Sequence, residues 1–404
     1  MIPAANFRVF HYTFGMWRLL LIVALIFAFS SRGSAQWRMQ DSHSNSDLRG
    51  IHSIGHGIAW ASGTSGTVLR TTDDGDHWEH CAMPLGADAL DFRGIQAFDA
   101  NTAIVMSVGK GDRSRLYKTT DACRSWRVVF TNPSNDGFFD AISFSKPSGT
   151  EHAAGVLIGD PVGGAFAIFL SDDDGEKWRP WGRGGFGWKS KCGERRPKAS
   201  RDEALFAASN ESALYFFSSH FLFVTGGPSG ARLVYEDFRD FDGPPCWSTL
   251  SSVGLPLARA VSAGAFALAA KNNRAYFPLR LMVVGGDFTK PDAASGNAAF
   301  LSSRDGAHVP LSSYFNLTVP VTPPHGYRSA VAYDIQSDTW ITVGPNGTDI
   351  SADEGRNWSS LTPGPTDAPD ANKNWNALSL PFAVGPKGRI GKLQRRFNQL
   401  QAVR

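Results

Sequence analysis

Charge is scarce in this chain. Only 19% of its 404 residues are Asp, Glu, Lys or Arg, and the formal net charge is +3. That balance excludes the broad basic surface that nucleic acid or an anionic membrane requires. Cysteine is scarce too: the four are Cys81, Cys123, Cys192 and Cys246, with no CxxC pair, which excludes zinc-knuckle and thioredoxin-like chemistry. Histidines are scattered, and His52, His56, His77 and His80 form no ligand pattern on one strand face. No metal and no cofactor are expected. Long apolar runs are missing except one, the 11 residues Leu19 to Phe29, well short of the ~20 that span a bilayer.

That run comes after Arg8 and Arg18 and precedes Gly33-Ser34-Ala35. A basic start, a short apolar stretch and a small-residue site describe a secretory signal peptide over residues 1–35, with Gln36 as the mature N-terminus. The expected location is the periplasm or the extracellular space. In such a compartment the cysteines can pair, in any of three connectivities. Cys192 and Cys246, which flank one unusually long repeat, are the preferred disulfide, with buried free thiols as the alternative.

What the chain has in quantity is glycine (42) and tryptophan (12), and both fall into repeats. An octamer S/T-x-D-x-G-x-x-W occurs as Thr71 to Trp78, Ser171 to Trp178 and Ser351 to Trp358. Thr119 to Trp126 keeps all of it but the glycine, which is Cys123, and Ser302 to Val309 is degraded, with Arg304 for Asp. A second ladder is an apolar strand ending in glycine, at Gly63, Gly109, Gly159, Gly226, Gly285, Gly344 and Gly385. A third lies upstream of each: LRGI at Leu48, FRGI at Phe92, FDAI at Phe139, EALF at Glu203, AGAF at Ala263, RSAV at Arg328 and NALS at Asn376. Apolar runs of this length suit strands buried on both faces. Seven copies of about 53 residues match the period of propeller blades. The seventh copy lacks an octamer. Gln36-Trp37-Arg38-Met39 resembles the strand that continues from the octamers elsewhere, such as Trp126-Arg127-Val128-Val129. We therefore expect one all-β, seven-bladed propeller of four-stranded antiparallel blades over residues 36–393. Its last blade is closed by the N-terminal strand, and residues 394–404 form a short tail.

The octamers resemble Asp boxes, the turns of the BNR-repeat propellers. With the stretches at Ile158 (IGDPVGG), Phe206 (FAASN), Val284 (VGGD) and Gly326 (GYRSAVAY), the chain resembles the photosystem II stability/assembly-factor-like branch of that group. The resemblance implies turn-forming roles for Asp73, Asp121, Asp173 and Asp353, with Trp78, Trp126, Trp178 and Trp358 as plugs. It also implies a non-catalytic module that binds a partner, which in the photosynthetic members is a membrane-associated complex. An Asp box is a mark of fold and specifies no activity.

Function has to come from the mouth of the channel. The equivalent positions of the third ladder are Arg49, Arg93, Asp140, Glu203, a small or apolar residue near Ala263, Arg328 and Asn376. If these face the channel, three arginines and two carboxylates make a ring for a protein partner or an anionic or carbohydrate ligand. The bland alternative is a set of internal salt bridges. Lys110, Asp160 and Asp287, after the glycine strands, either extend the ring or serve as turn residues. A second function class is a glycoside hydrolase of sialidase-like type using the same groups, although the chain has no Arg-Ile-Pro motif and makes only one propeller. The basic stretch Lys189 to Arg201 reads as a solvated loop or a docking patch for an acidic partner or lipid headgroup. A monomer is expected.

Overall fold

The computed structural model describes residues 36–146, 149–181, 197–216, 220–236, 250–271, 279–303, 315–364 and 367–394. Residues 1–35, where a signal peptide is expected, the tail beyond 394, the degraded octamer after Ser303, most of the basic stretch, and both Cys192 and Cys246 lie outside these residues. The disulfide that is described joins Cys81 and Cys123, two other cysteines.

Residues 36–394 form seven four-stranded antiparallel sheets. Six are consecutive meanders: 48–80, 91–131, 139–180, 213–255, 263–318 and 330–360 are blades 1 to 6. Blade 7 contains three strands from residues 377–394, and its fourth strand is Gln36–Gln40, paired antiparallel with Ile390–Gln394. The chain is a seven-bladed β-propeller whose last blade joins both ends of the fold. This closure leaves no blade short of a strand.

The second strands are the most apolar because sheets pack on both of their faces. Ala103–Val108 is buried at all six positions. Leu222, Leu233, Leu281, Val283 and Leu301 form one continuous layer between blades 4 and 5. Between blades 1 and 2 the layer contains Trp60, Phe92, Val105 and Tyr117. Burying each such side chain is worth about 1.5–3 kcal/mol, so most of the stability sits between blades.

The four octamers connect third to fourth strands with one hydrogen-bond pattern. Thr71, Thr119, Ser171 and Ser351 donate from their hydroxyls to Asp73, Asp121, Asp173 and Asp353, each at 2.9 Å. The same carboxylates accept the backbone N–H of His77, Ser125, Lys177 and Asn357. Those bonds, the backbone one from His77 first, hold Asp73 at about 2. Two successive residues have positive φ in each turn, for instance Asp74 (64°) and Gly75 (85°). The tryptophans then seal adjacent blades: Trp78 of blade 1 meets Phe382 of blade 7 edge-on at 5.5 Å.

Strand alternation gives the ring two faces. Octamers and the hairpins after the first strands lie on one, here the octamer face. Loops that lead into first strands, or come after second strands, lie on the other, the entry face. The third-ladder residues start the first strands and therefore sit at the entry face.

Candidate functional site

Irregularities of pairing decide which side chains reach the channel. Between first and second strands the register shifts at Leu48/Gly50, Phe92/Gly94, Phe139/Ala141 and Ala265/Ala267. The bulged residues are therefore Arg49, Arg93, Asp140 and Phe266, since a bulge re-aims its extra side chain. Blade 5 thus contributes Phe266 where the sequence pointed to the neighbourhood of Ala263. In blade 6, Ala330 pairs with Val343 ahead of Gly344, as Gly50 pairs with Ser62 ahead of Gly63. The counterpart of Arg49 is therefore Ser329, and Arg328 is one residue early.

That single step reverses the side chain. Arg328 is fully buried and donates from Nε to Asp349 at 2.8 Å, with Nη2 on the same carboxylate. Burial works against ionisation of Asp349, and the charge of Arg328 outweighs it, holding the carboxyl below its usual range. Glu203 is likewise turned into its blade. Arg232 grips it with Nε at 2.8 Å and Nη2 at 2.7 Å, and Thr225 donates to it at 2.6 Å. Both are blade-internal ion pairs; the ring of three arginines and two carboxylates is not assembled.

Arg93, Asp140 and Asp160 do come together. Arg93 donates from Nε to Asp91 at 2.7 Å and its charge acts on Asp140. Asp140 is 1% exposed, and its Oδ2 is buried without a hydrogen-bond partner. Burial first, and then the negative charge of Asp160, push the Asp140 carboxyl well above its usual range. Asp160 accepts a backbone N–H from Leu205 at 3.2 Å, and burial raises it to about 6. Both carboxyls therefore favour the protonated form more than a free carboxyl does.

The remaining positions separate. Asn376 donates from Nδ2 to the Leu48 carbonyl at 2.8 Å and links blades 7 and 1. Lys110 is exposed at the start of a short 3-10 turn. Asp287 serves a turn: Thr289 and Ser262 hydroxyls both donate to it at 2.7 Å and hold it at about 2. Arg49 keeps its buried Nε without a partner, and its charge reaches Tyr327. Next to it the mouth turns aromatic. Phe206 stacks on Phe266 at 4.1 Å, and Tyr327 and Phe288 meet Phe266 edge-on at 4.7 and 6.2 Å.

One element was missed from sequence. Residues 205–212, ahead of the strand Ala213–Phe216, cross the channel as a plug. Ala207 accepts from Arg93 Nη1 in blade 2 at 3.1 Å, and Asn210 Oδ1 accepts the Ile142 N–H of blade 3 at 2.9 Å. Ser209 donates to the Ser329 carbonyl of blade 6 at 2.8 Å. Glu211 accepts the Val331 N–H at 3.0 Å and the Leu378 N–H at 3.3 Å, and its own carbonyl accepts from Leu268 at 2.9 Å. Gly94 makes room for the plug, since a Cβ there would lie 2.8 Å from Asn210 Oδ1. Channel-facing first strands present unpaired backbone groups, and the plug satisfies several of them. Among the described residues, no group of three or more His, Cys, Asp or Glu is placed to hold a metal ion.

The fold and its mouth define a plugged seven-bladed propeller with a half-charged, half-aromatic entry. Two solved structures of the same architecture are YCF48 bound to D1 peptide and YCF48 from Cyanidioschyzon merolae. The first has 16% identity and a TM-score of 0.55, covering 89% of this chain and 96% of that one. The second has 16% identity and a TM-score of 0.54, covering 89% and 99%. The WD40 propeller domain of Doa1 is similar at 9% identity and a TM-score of 0.52, covering 90% and 97%. No family model and no curated protein matches the sequence.

Proposed function

We propose that the chain is an exported, non-catalytic propeller that binds a protein segment across its entry face, in the manner of an assembly factor. The observation that carries this reading is where apolar surface is left exposed. Met83, Leu85, Val261 and Phe288 are four of the nine large apolar side chains exposed among the described residues. All four lie on loops that enter first strands or come after a second strand, on the entry face, whereas Val321 donates its N–H to the Arg356 carbonyl in the octamer of blade 6. Exposed apolar residues gathered on one face mark an interaction surface. Arg49 and Arg93 add hydrogen-bond donors for backbone carbonyls or carboxylates of a bound segment. A propeller of this architecture with a peptide bound, YCF48 with D1 peptide, supports the reading. The hydrolase alternative needs a three-arginine clamp, and Arg328 is committed to Asp349.

Cross-linking capture from envelope protein tests the proposal with the native chain and three variants as baits. The native chain should retain a specific partner, and V261S/F288S and R49A/R93A should each lose most of it. I335S, which alters an exposed residue of the opposite face, should capture as the native chain does. Equal capture by all baits, or turnover of any member of a glycoside panel, would remove the reading.

A further inference from the structure

The plug leaves the octamer-face end of the channel as an open cup of 380 Å³, inside the ~300–1,000 Å³ range of small-molecule sites. Aliphatic residues at its wall, such as Ile142, Leu268 and Val331, are buried in the layers between blades. The hydrogen-bonding side chains stay partly exposed. Ser143 and Ser145 come from the first strand of blade 3, Ser379 from that of blade 7, and Asn210 and Glu211 from the plug.

Four of these groups are pinned on one side and open on the other. Ser143 Oγ accepts the Tyr215 N–H at 3.0 Å and Ser379 Oγ accepts the Ser53 N–H at 2.9 Å, each from the first strand of the next blade. The backbone fixes each oxygen and leaves the hydroxyl hydrogen to donate. Asn210 Oδ1 accepts the Ile142 N–H at 2.9 Å, and its Nδ2 has no partner among the described residues. The two Glu211 oxygens accept the Val331 N–H at 3.0 Å and the Leu378 N–H at 3.3 Å, and each has capacity for a second donor.

The cup offers donors and acceptors without a charge to match an ion. Among the described residues lining it there is no lysine or arginine, and Glu211 is the one carboxyl. Burial pushes that carboxyl well above its usual range and so favours its uncharged form. Burial also lowers His52 to about 4, so it is neutral. An anion finds no cation here. An apolar ligand would leave the pinned groups without partners, at a cost of about 1–3 kcal/mol for each.

We propose that this cup binds an uncharged cyclic polyol of monosaccharide size. Its hydroxyl oxygens accept from Ser143, Ser379 and Asn210, and one of its hydroxyls donates to Glu211. A ring whose every edge is both donor and acceptor satisfies groups that converge from two blades and the plug. The site is on the opposite face from the proposed partner surface and does not depend on it.

Ligand-observed NMR titration of the native chain tests the assignment with myo-inositol, D-glucose, D-galactose and D-mannose. At least one should bind, with Kd of about 10 mM or below. D-Glucuronate, which adds a charge, and cyclohexanol, which keeps a ring with a single hydroxyl, should both bind at least about tenfold more weakly than that member. S143A/S379A should lose at least about tenfold in affinity. Both serines also hold a neighbouring strand, so S145W supplies a second variant. The Ser145 side chain makes no hydrogen bond among the described residues, and an indole there fills the cup. Binding should vanish in S145W while the protein melts as the native one does. F288S, on the opposite face, should bind the polyol as the native chain does, which separates this site from partner capture. The assignment is overturned by no binding of any of the four at about 50 mM, by glucuronate or cyclohexanol binding as tightly, or by unchanged binding in S145W.

Discussion

Arg93 of the second blade donates from Nη1 to the carbonyl oxygen of Ala207, 3.1 Å away in a segment that enters from the fourth blade. The same guanidinium holds Asp91 through Nε at 2.7 Å. One planar group thus ties the rim of the mouth to the plug, a geometry that an ammonium cannot reproduce. R93A should cost about 1–2 kcal/mol, at the low end for hydrogen bonds to charged groups, because the side chain is 31% exposed. R93K should recover little of it. Urea denaturation measures both; native-like stability in R93K would show that the fork does not matter.

Asp140 and Asp160 give stability a pH dependence with a definite sign. Both pKa values are raised in the folded state, Asp160 to about 6. The contribution of Asp160 is complete below the unfolded value near 4 and is lost as pH rises through about 6, and Asp140 acts in the same sense. His52, lowered from 6.5 to about 4, acts in the opposite sense. Its contribution is present above 6.5 and is lost as pH falls through about 4. D160N removes a carboxyl whose ionisation burial opposes, so it should match the native protein near pH 4 and exceed it by about 1–3 kcal/mol near pH 8. Melting curves across that range decide the matter: a difference that stays constant with pH would mean that burial does not raise the Asp160 carboxyl.

The blade count was legible because both-face burial leaves uninterrupted apolar strands in the sequence, as in Ala103–Val108. The mouth was legible only in part. Arg49, Arg93 and Asp140 share a bulge whose signature, a large residue, the bulged one, then Gly or Ala, can be read from LRGI, FRGI and FDAI. In blade 5 the bulged position is Phe266, within AFAL, and reading AGAF instead missed it by register. Arg328 misled because a charged residue occupied a buried position, its partner Asp349 lying 21 residues on. The plug gave no local signal. Its residues read with EALF at Glu203 as an inner-strand copy and with the FAASN stretch at Phe206, whereas the first strand of blade 4 is Ala213–Phe216. The bonds of the plug reach as far as 167 residues along the chain.

Cys123 stands where the other octamers have glycine, and its φ is 60°. A side chain in that region costs roughly 1–2 kcal/mol; the Cys123 N–H is held by the Thr119 hydroxyl at 3.1 Å, as in the other octamers, and its sulfur is bonded to Cys81. The sequence separation of 42 corresponds to a loop-closure gain of about 4 kcal/mol at most. C81S/C123S should therefore melt well below the native protein. C81S/C123G should recover about 1 kcal/mol of that loss, because glycine adopts positive φ without the clash. If the serine and glycine double variants melt together, backbone strain at this turn is absent.

Closure of the ring depends on one tryptophan more than on the length of its strand. The strand Gln36–Gln40 pairs over five positions with Ile390–Gln394, and Trp37 within it is 2% exposed. Its ring packs 5.2 Å from that of Trp375, and its Nε1 donates to Thr348 Oγ1 of blade 6 at 3.0 Å. Removing the ring leaves a cavity between blades and takes away a donor to that hydroxyl, so W37A should cost about 3–5 kcal/mol. W37F keeps most of the contact and loses the hydrogen bond, for a cost of about 1 kcal/mol. Deleting residues 36–41 exposes a sheet edge as well, and should lower the melting temperature further than W37A. If the deletion melts as the native protein does, the N-terminal strand does not hold the ring closed.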